Sequence, residues 1–281
     1  MDTLHDKTAI VTGGSDGVGA ATAAGLADAG ANLVLVARGQ EKLETVAARL
    51  RVKTRVLVAP MDITDESACE RLLQKTQQTF GSIDILVNNA GCHARGLVED
   101  VSTDELGRMI DVNLKAPILL SRMALPYLRE SRGGAAIVNV ASLAGRVALG
   151  GAATYSATKF ALRVFTFALA DELRGTNIKL AAVSPGPIDT GFIMSDVDAV
   201  ADITFSQPIS TAEEVADEIL KLCMNDKLER SMPPSSGFMT TLSYLFPSVA
   251  RRVRPMLERK GRRTKQRLKA ATQHAATQSV E

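Results

Sequence analysis

Residues able to ligate metals or form cross-links are scarce in this chain of 281 residues, which has three His, three Cys, three Tyr and no Trp. Cys69, Cys92 and Cys223 lie far apart and do not cluster with His5, His93 or His274, so no zinc-ligand spacing and no disulfide framework is implied. No metal is expected. No apolar run reaches the ~18 residues of a membrane span. The opening stretch MDTLHDKTAIVTGG has no basic segment followed by an apolar run and a cleavage site, so it does not read as a signal peptide. A cytoplasmic location is expected. Repeats and low-complexity tracts are also missing. Net charge is small, +2, but unevenly spread: residues 251–269 hold ten Lys/Arg and one Glu, which leaves residues 1–250 at −6.

What is there is alternation. Short apolar runs at 8–13, 32–38, 55–62, 83–91, 135–142 and 178–186 read as strands buried on both faces. Between them, 17–29, 64–80, 103–129 and 154–174 are long enough to be crossover helices. Strict alternation predicts an α/β fold, a single-domain doubly wound parallel sheet (a Rossmann fold) with helices on both faces. That domain is expected over 1–236, with a helical C-terminal extension over 237–281, amphipathic at first and then basic. A long connection at about 190–210, after the last of these strands, has the position of a substrate lid, and Thr211 reads as the N-cap of the helix that follows.

The first strand runs into TGGSDGVGAA, where Gly13, Gly17 and Gly19 space a tight turn into a helix whose free N–H groups and positive dipole end suit a pyrophosphate. The same turn contains Gly-x-Ser-x-Gly (Gly13, Ser15, Gly17), the pattern of a hydrolase nucleophile. A serine hydrolase would also need an earlier oxyanion loop and a later acid and histidine. Only about ten residues precede the turn, and the histidines are poorly placed for it. At the end of the second strand stands Arg38, where an acid would hold a ribose diol; a guanidinium there favours NADP(H) over NAD(H), while Asp16 in the turn argues weakly the other way.

Tyr155 precedes Lys159 by four residues, one helical turn, so an ammonium group is expected to lower the phenol's pKa and make it a usable acid or base. Together these segments resemble the short-chain dehydrogenase/reductase family over residues 8 to about 225. The resemblance rests on Thr12-Gly13 with Gly17 and Gly19, Asp62 in MDIT, NNAG at 88–91, Asn113 in DVNLKAP, Ser142 in VASLAG, Tyr155-x-x-x-Lys159 and SPGPIDT ending at Thr190. Ser142 and Tyr155 stand thirteen residues apart, the family's usual spacing. The resemblance implies that Tyr155 is the general acid/base and that Ser142 hydrogen-bonds the substrate oxygen. Lys159 would bind the nicotinamide ribose, and Asn113 would hold a water that links Lys159 to solvent. It also implies cofactor contacts at Thr12, Gly13, Ser15, Asp16, Gly17, Val18, Gly19, Arg38, Asp62, Ile63, Asn89, Ala90, Gly91, Pro185, Gly186, Ile188 and Thr190, besides Tyr155 and Lys159. The activity expected is interconversion of a ketone and a secondary alcohol; the alternative is a non-catalytic NADP-binding sensor or scaffold.

Cys92 and His93 are expected to be loop and wall residues. Phe192, Ile193, Met194, Val197, Val200, Ile203 and Phe205 of the lid, with Leu143, Val147 and Leu149, suit an apolar carbonyl or alcohol substrate. No clear glycine-rich seventh strand follows Met224. Phe238, Leu242, Leu245, Phe246, Val249, Val253 and Met256 recur near helical spacing, interrupted by Pro247 and Pro255. They suit helices packed on the body or a sister subunit, or peripheral membrane contact through 238–269. No nucleic-acid partner is expected, because the basic run lacks interleaved aromatics. The resemblance implies a homodimer or homotetramer using helices 103–129 and 154–174.

Overall fold

The computed structural model describes residues 1–278, with side chains through 270. Seven strands, β1 (Thr8–Thr12), β2 (Asn32–Ala37), β3 (Val56–Pro60), β4 (Ile85–Asn88), β5 (Ala135–Val140), β6 (Ile178–Pro185) and β7 (Glu229–Met232), form one parallel sheet in the order 3-2-1-4-5-6-7. Every residue of β1, β4 and β5 is buried, as continuous apolar strands covered on both faces must be. Successive residues serve opposite faces. Ala9, Val11, Leu33 and Leu35 pack under α1 (Gly17–Asp28), α2 (Gln40–Leu50) and α8 (Ala212–Met224). Ile10, Val34, Val36 and Leu86 pack under α3 (Glu66–Phe80), α5 (Ala116–Arg129) and α6 (Ala153–Glu172). Strand order reverses between β1 and β4, so a crevice opens at their carboxyl ends.

The segment 103–129, predicted as one helix, runs as α4 (Thr103–Ile110), a single π turn over Asp111–Lys115, and α5. The wide turn carries Asn113, a common setting for a functional residue. After β6, the long connection holds the short helix α7 (Gly191–Met194) and a 3-10 turn at Asp202–Ser206. Thr211 caps α8 as expected, in a capping box with Glu214.

The sequence shows no clear glycine-rich seventh strand after Met224, but a strand without glycine, β7, forms there and pairs with β6 from Ala182–Glu229 to Pro185–Met232. Its sequence, ERSM, has no apolar run because this edge strand is fixed by charge. Glu229 accepts from Arg163 Nε and Nη2 at 2.7 and 2.8 Å and from Ser184 Oγ at 2.8 Å, and lies 3.2 Å from Arg146 Nη1. Burial would raise the carboxyl's pKa, but these donors hold it below the ordinary value.

Beyond β7 come α9 (Pro234–Leu245) and α10 (Pro247–Gln278). Arg146, which also donates to Ser231 and to Thr241 Oγ1, ties α9 to the turn after β5. Pro247 starts α10, whereas Pro255 sits within it without ending it; the residue is exposed, so the carbonyl it leaves unpaired can meet water. The helix lies along the lid. A Cβ on the buried Gly261 would stand 1.7 Å from the Asp202 carbonyl oxygen, so only glycine permits this approach. Beside it Arg262 pairs with Asp202 at 3.0 Å, Lys265 reaches the carbonyls of Asp198 and Val200 at 2.9 and 2.7 Å, and Lys269 pairs with Asp198.

Candidate active site

The turn after β1 is built for close backbone approach. Gly13 has φ +67°, and a Cβ there would lie 2.7 Å from Asn89 Nδ2; one on Gly19 would lie 2.1 Å from the Gly13 carbonyl oxygen. Thr12 and Asn89 hold the turn against β4. Thr12 Oγ1 donates to the Val87 carbonyl and accepts from the N–H groups of Asn89 and Ala90, and Asn89 Nδ2 donates to the Thr12 carbonyl at 2.8 Å. Asp16 is the N-cap of α1, accepting from Gly17 N at 2.7 Å, and its other oxygen faces Lys42 Nζ at 4.0 Å.

From this turn a cavity of about 1140 Å³ runs toward the C-terminal ends of β5 and β6. Gly13, Asp16, Gly17 and Val18 line one end, followed by Asn89, Ala90 and Gly91 from β4 and Pro185, Gly186, Ile188 and Thr190 from β6 onward. Ser142, Tyr155 and Lys159 line its middle. Thr12, Ser15, Gly19, Arg38, Asp62, Ile63 and Asn113 are not on its walls. Arg38 directly follows β2, exposed and without a hydrogen bond or ion pair among the described residues. Asp62, after β3, accepts from Thr64 N at 3.0 Å and Oγ1 at 2.8 Å and pairs with Arg108 Nη2 at 3.0 Å. Burial alone would raise this carboxyl, but those partners bring it down to about 2.

Tyr155 and Lys159 share a face of α6, yet the ammonium does not act on the phenol as the spacing suggests. Lys159 Nζ donates to the Val140 carbonyl at 2.8 Å and sits 5.9 Å from the Tyr155 ring centroid. Burial pushes Lys159 down to about 8. The phenol is raised instead of lowered, because burial outweighs its hydrogen bond with Ser142 and the positive field of Arg95. Ser142 caps the turn after β5, accepting from Ala144 N at 3.1 Å and donating to the Pro185 carbonyl at 3.4 Å. Asn113 spends its amide on the backbone: Oδ1 accepts from Cys92 N and Nδ2 donates to the Cys92 carbonyl, both at 2.8 Å. It therefore sets the strand end that leads to His93. A buried chain from Asn88 to Asn139 to Thr166, with links of 2.8 Å each, fastens α6 to β4 and β5 and so fixes the height of Tyr155.

His93 lines the cavity, its ring stacked on Tyr155 at 4.1 Å with 15° between planes, and burial pulls its pKa down to about 4. A neutral aromatic wall results. Phe192 and Ile193, Val200 and Ile203, and Leu143, Val147 and Leu149 also line the space, as expected from the lid's composition, whereas Phe205 is fully buried and packs the lid itself. Met194 and Val197 are not on the cavity wall. The sequence did not point to the far wall, which α9 and α10 build from Met239, Tyr244, Arg251, Arg254 and Lys260, nor to Arg95. Helical spacing of apolar residues after 237 signalled an amphipathic element but not what it covers. Ser15 makes no hydrogen bond to a histidine among the described residues, and the His274 side chain lies outside them.

A nicotinamide dinucleotide fits these residues. The glycine turn leaves no room for a Cβ, the helix N-terminus beside it suits a pyrophosphate, and the cavity continues from there to Tyr155.

A family model described as short chain dehydrogenase matches residues 7–201. An uncharacterized oxidoreductase of Staphylococcus aureus (strain USA300) is 40% identical over 190 residues, covering 68% of this chain and 81% of that protein. One from Staphylococcus saprophyticus is 36% identical over 207 residues, covering 72% and 83%. Among solved structures, a short chain dehydrogenase from Burkholderia cenocepacia in complex with NADP has TM-score 0.74 and 32% identity, over 82% of this chain and 96% of that one. A Burkholderia phymatum short chain dehydrogenase/reductase in complex with NAD shares the fold, with TM-score 0.80 at 22% identity over 89% and 97%.

Proposed function

Because the chain belongs to the short chain dehydrogenase family and is an NAD(P)-dependent oxidoreductase, we propose that it reduces an apolar ketone to a secondary alcohol, or runs the reverse, with NADP(H) as its preferred cofactor. The observation that carries this reading is the joint presence of Ser142, Tyr155 and Lys159 on the wall of a cavity that begins at the glycine turn. Bound nicotinamide supplies or accepts the hydride. Ser142 Oγ and the Tyr155 phenol then hold the carbonyl oxygen, and the phenol gives up its proton as negative charge develops there. A raised phenol pKa suits the acid role, since the group stays protonated at neutral pH. Lys159 would hold the nicotinamide ribose from behind Tyr155, and Asn113 would keep the end of β4 in register. His93, Phe192 and Leu149 exclude water and favour an apolar substrate.

Preference for NADP(H) rests on Arg38. Its guanidinium is exposed and unpaired at the place of a 2′-phosphate, and the opposing charge of Asp16 is offset by Lys42. The relative solved with NADP is in keeping with this. Exposed Ile110 on α4 and Val164 on α6 favour a homo-oligomer built on those helices. Exposed Phe238, Leu245 and Phe246 beside arginines of α10 favour peripheral contact with an anionic membrane.

One experiment tests the reading: titrating Tyr155→Phe and the native protein with NADPH and NADH while following nicotinamide fluorescence and ketone turnover. The variant should bind NADPH normally and turn over at least ~10²-fold more slowly. Retained turnover would remove Tyr155 from the chemistry, and tighter NADH binding would reverse the cofactor preference.

A further inference from the structure

The outer half of the cavity carries charge of one sign. Its lining includes Arg95, Arg251, Arg254 and Lys260, while the one carboxylate on the lining among the described residues is Asp16, at the glycine-turn end. Arg95 stands over the Phe192 ring, 5.6 Å from its centroid, donates to the Phe192 carbonyl and acts on the Tyr155 phenol through its charge. Arg251, Arg254, Leu257 and Lys260 follow one another at intervals of three along α10, a line that winds about half-way round the helix over about 13.5 Å, and all four border the cavity. Leu149, Ile193, Ile203 and Met239 make apolar wall.

The cations of α10 fall into two sets. Against the lid, Arg262, Lys265 and Lys269 are matched by Asp198 and Asp202. Against the cavity, Arg254 pairs with Glu258 of its own helix at 2.7 Å, and the side chains of Arg251 and Lys260 have no ion pair or hydrogen bond among the described residues. Long basic side chains on an open lip can simply point into solvent. Here, however, the lid supplies acids to the cations packed against it, while among the described residues none is supplied to Arg251 or Lys260 beside a substrate-sized space with an apolar floor. A charge left so placed gains most from an anion that arrives with the ligand.

We propose that the substrate is an amphipathic carbonyl compound bearing an anionic group, carboxylate or phosphate, remote from the reacting carbonyl, and that the cationic lip to which Arg251, Arg254 and Lys260 contribute attracts and retains that group. This rests on the reading of Tyr155 as the centre of ketone chemistry, and it narrows that reading to one class of ketone.

The test uses the full chain loaded with NADP and three probes: a long-chain keto acid, its methyl ester and the corresponding keto phosphate. Calorimetric binding should favour the acid or the phosphate over the ester by at least ~10-fold, and the stronger of the two identifies the anion. In Arg251→Gln/Lys260→Gln the ratio of acid to ester affinity should fall toward one; Lys260→Gln alone, a milder change, should lower it part of the way. Equal binding of acid and ester by the native protein would overturn the proposal, as would an unchanged ratio in the variants. Turnover is read separately. Anion-selective binding without NADPH-dependent reduction would sink the catalytic reading while upholding this one.

Discussion

At the scale of single residues, the site turns on Lys159. Its ammonium is buried, meets one carbonyl, and is pulled from 10.5 to about 8 by desolvation. The folded state therefore disfavours the charged form, and the unfolded chain binds more protons between about pH 8 and 10.5. This penalty is full below pH 8 and fades as the pH rises through that window. Replacing the group with an apolar isostere should remove it, less about 1 kcal/mol for the lost hydrogen bond to Val140. Lys159→Met should thus be more stable than the native protein at pH 7 by on the order of 1–2 kcal/mol, with the gap closing toward pH 10.5, while turnover collapses. Urea midpoints of the cofactor-free proteins across this range decide it; a gap that does not move with pH would mean that Lys159 is not the cause. Spacing together with the family resemblance marks Tyr155 and Lys159, but spacing points to a lowered phenol pKa where the structure raises it. That direction depends on burial under His93 and Phe192, which are remote from Tyr155 in sequence.

At the scale of elements, α10 and the lid form one seam. Gly261 sits where a Cβ would meet the Asp202 backbone at 1.7 Å, and a backbone atom cannot swing aside as a side-chain tip can. Gly261→Ala should push α10 off the 198–206 segment and raise local opening there, with limited proteolysis inside the lid at least ~10-fold faster. NADPH affinity should change little, since the glycine turn lies at the other end of the cavity. Unaltered cleavage would show that the seam does not restrain the lid. In the sequence, Gly261 is one glycine in a basic run, and its partner is 59 residues away. The strand that precedes these helices was hidden for a related reason: β7 is held by Arg146 and Arg163 on Glu229, and ion pairs leave no periodic apolar trace.

At the scale of the whole molecule, charge is divided between two tasks. Lid acids neutralise Arg262, Lys265 and Lys269, while Arg252, Arg259 and Arg263 share an outward face of α10 with the exposed Val249 and Met256. Phe238 and Leu245, at 66% and 61% exposed, lie in the adjoining helix α9. Such a face is complementary to anionic lipid, at about 1 kcal/mol per basic residue near the surface. The full chain should float with vesicles containing phosphatidylserine and far less with pure phosphatidylcholine. Reversing Arg252, Arg259 and Arg263 to Glu should lower recovery on the anionic vesicles by at least ~10-fold. Equal recovery on both vesicle types would remove membrane contact. Among the described residues no helix is long and apolar enough to cross a membrane.

Sequence alone was enough for the parallel sheet, the glycine turn and the placing of Tyr155 and Lys159 on one helical face, because each follows from short-range rules: apolar runs at strand length, glycines where a Cβ has no room, and a tyrosine and lysine one helical turn apart; Asn113 and Ser142 are marked only by the resemblance to the family. Tertiary structure alone decided that Asn113 grips the backbone of Cys92, that burial raises the Tyr155 phenol, and that the C-terminal helices form the far wall of the cavity. Those outcomes depend on which surfaces exclude water from which charges, and that is settled by contacts between segments far apart in the chain.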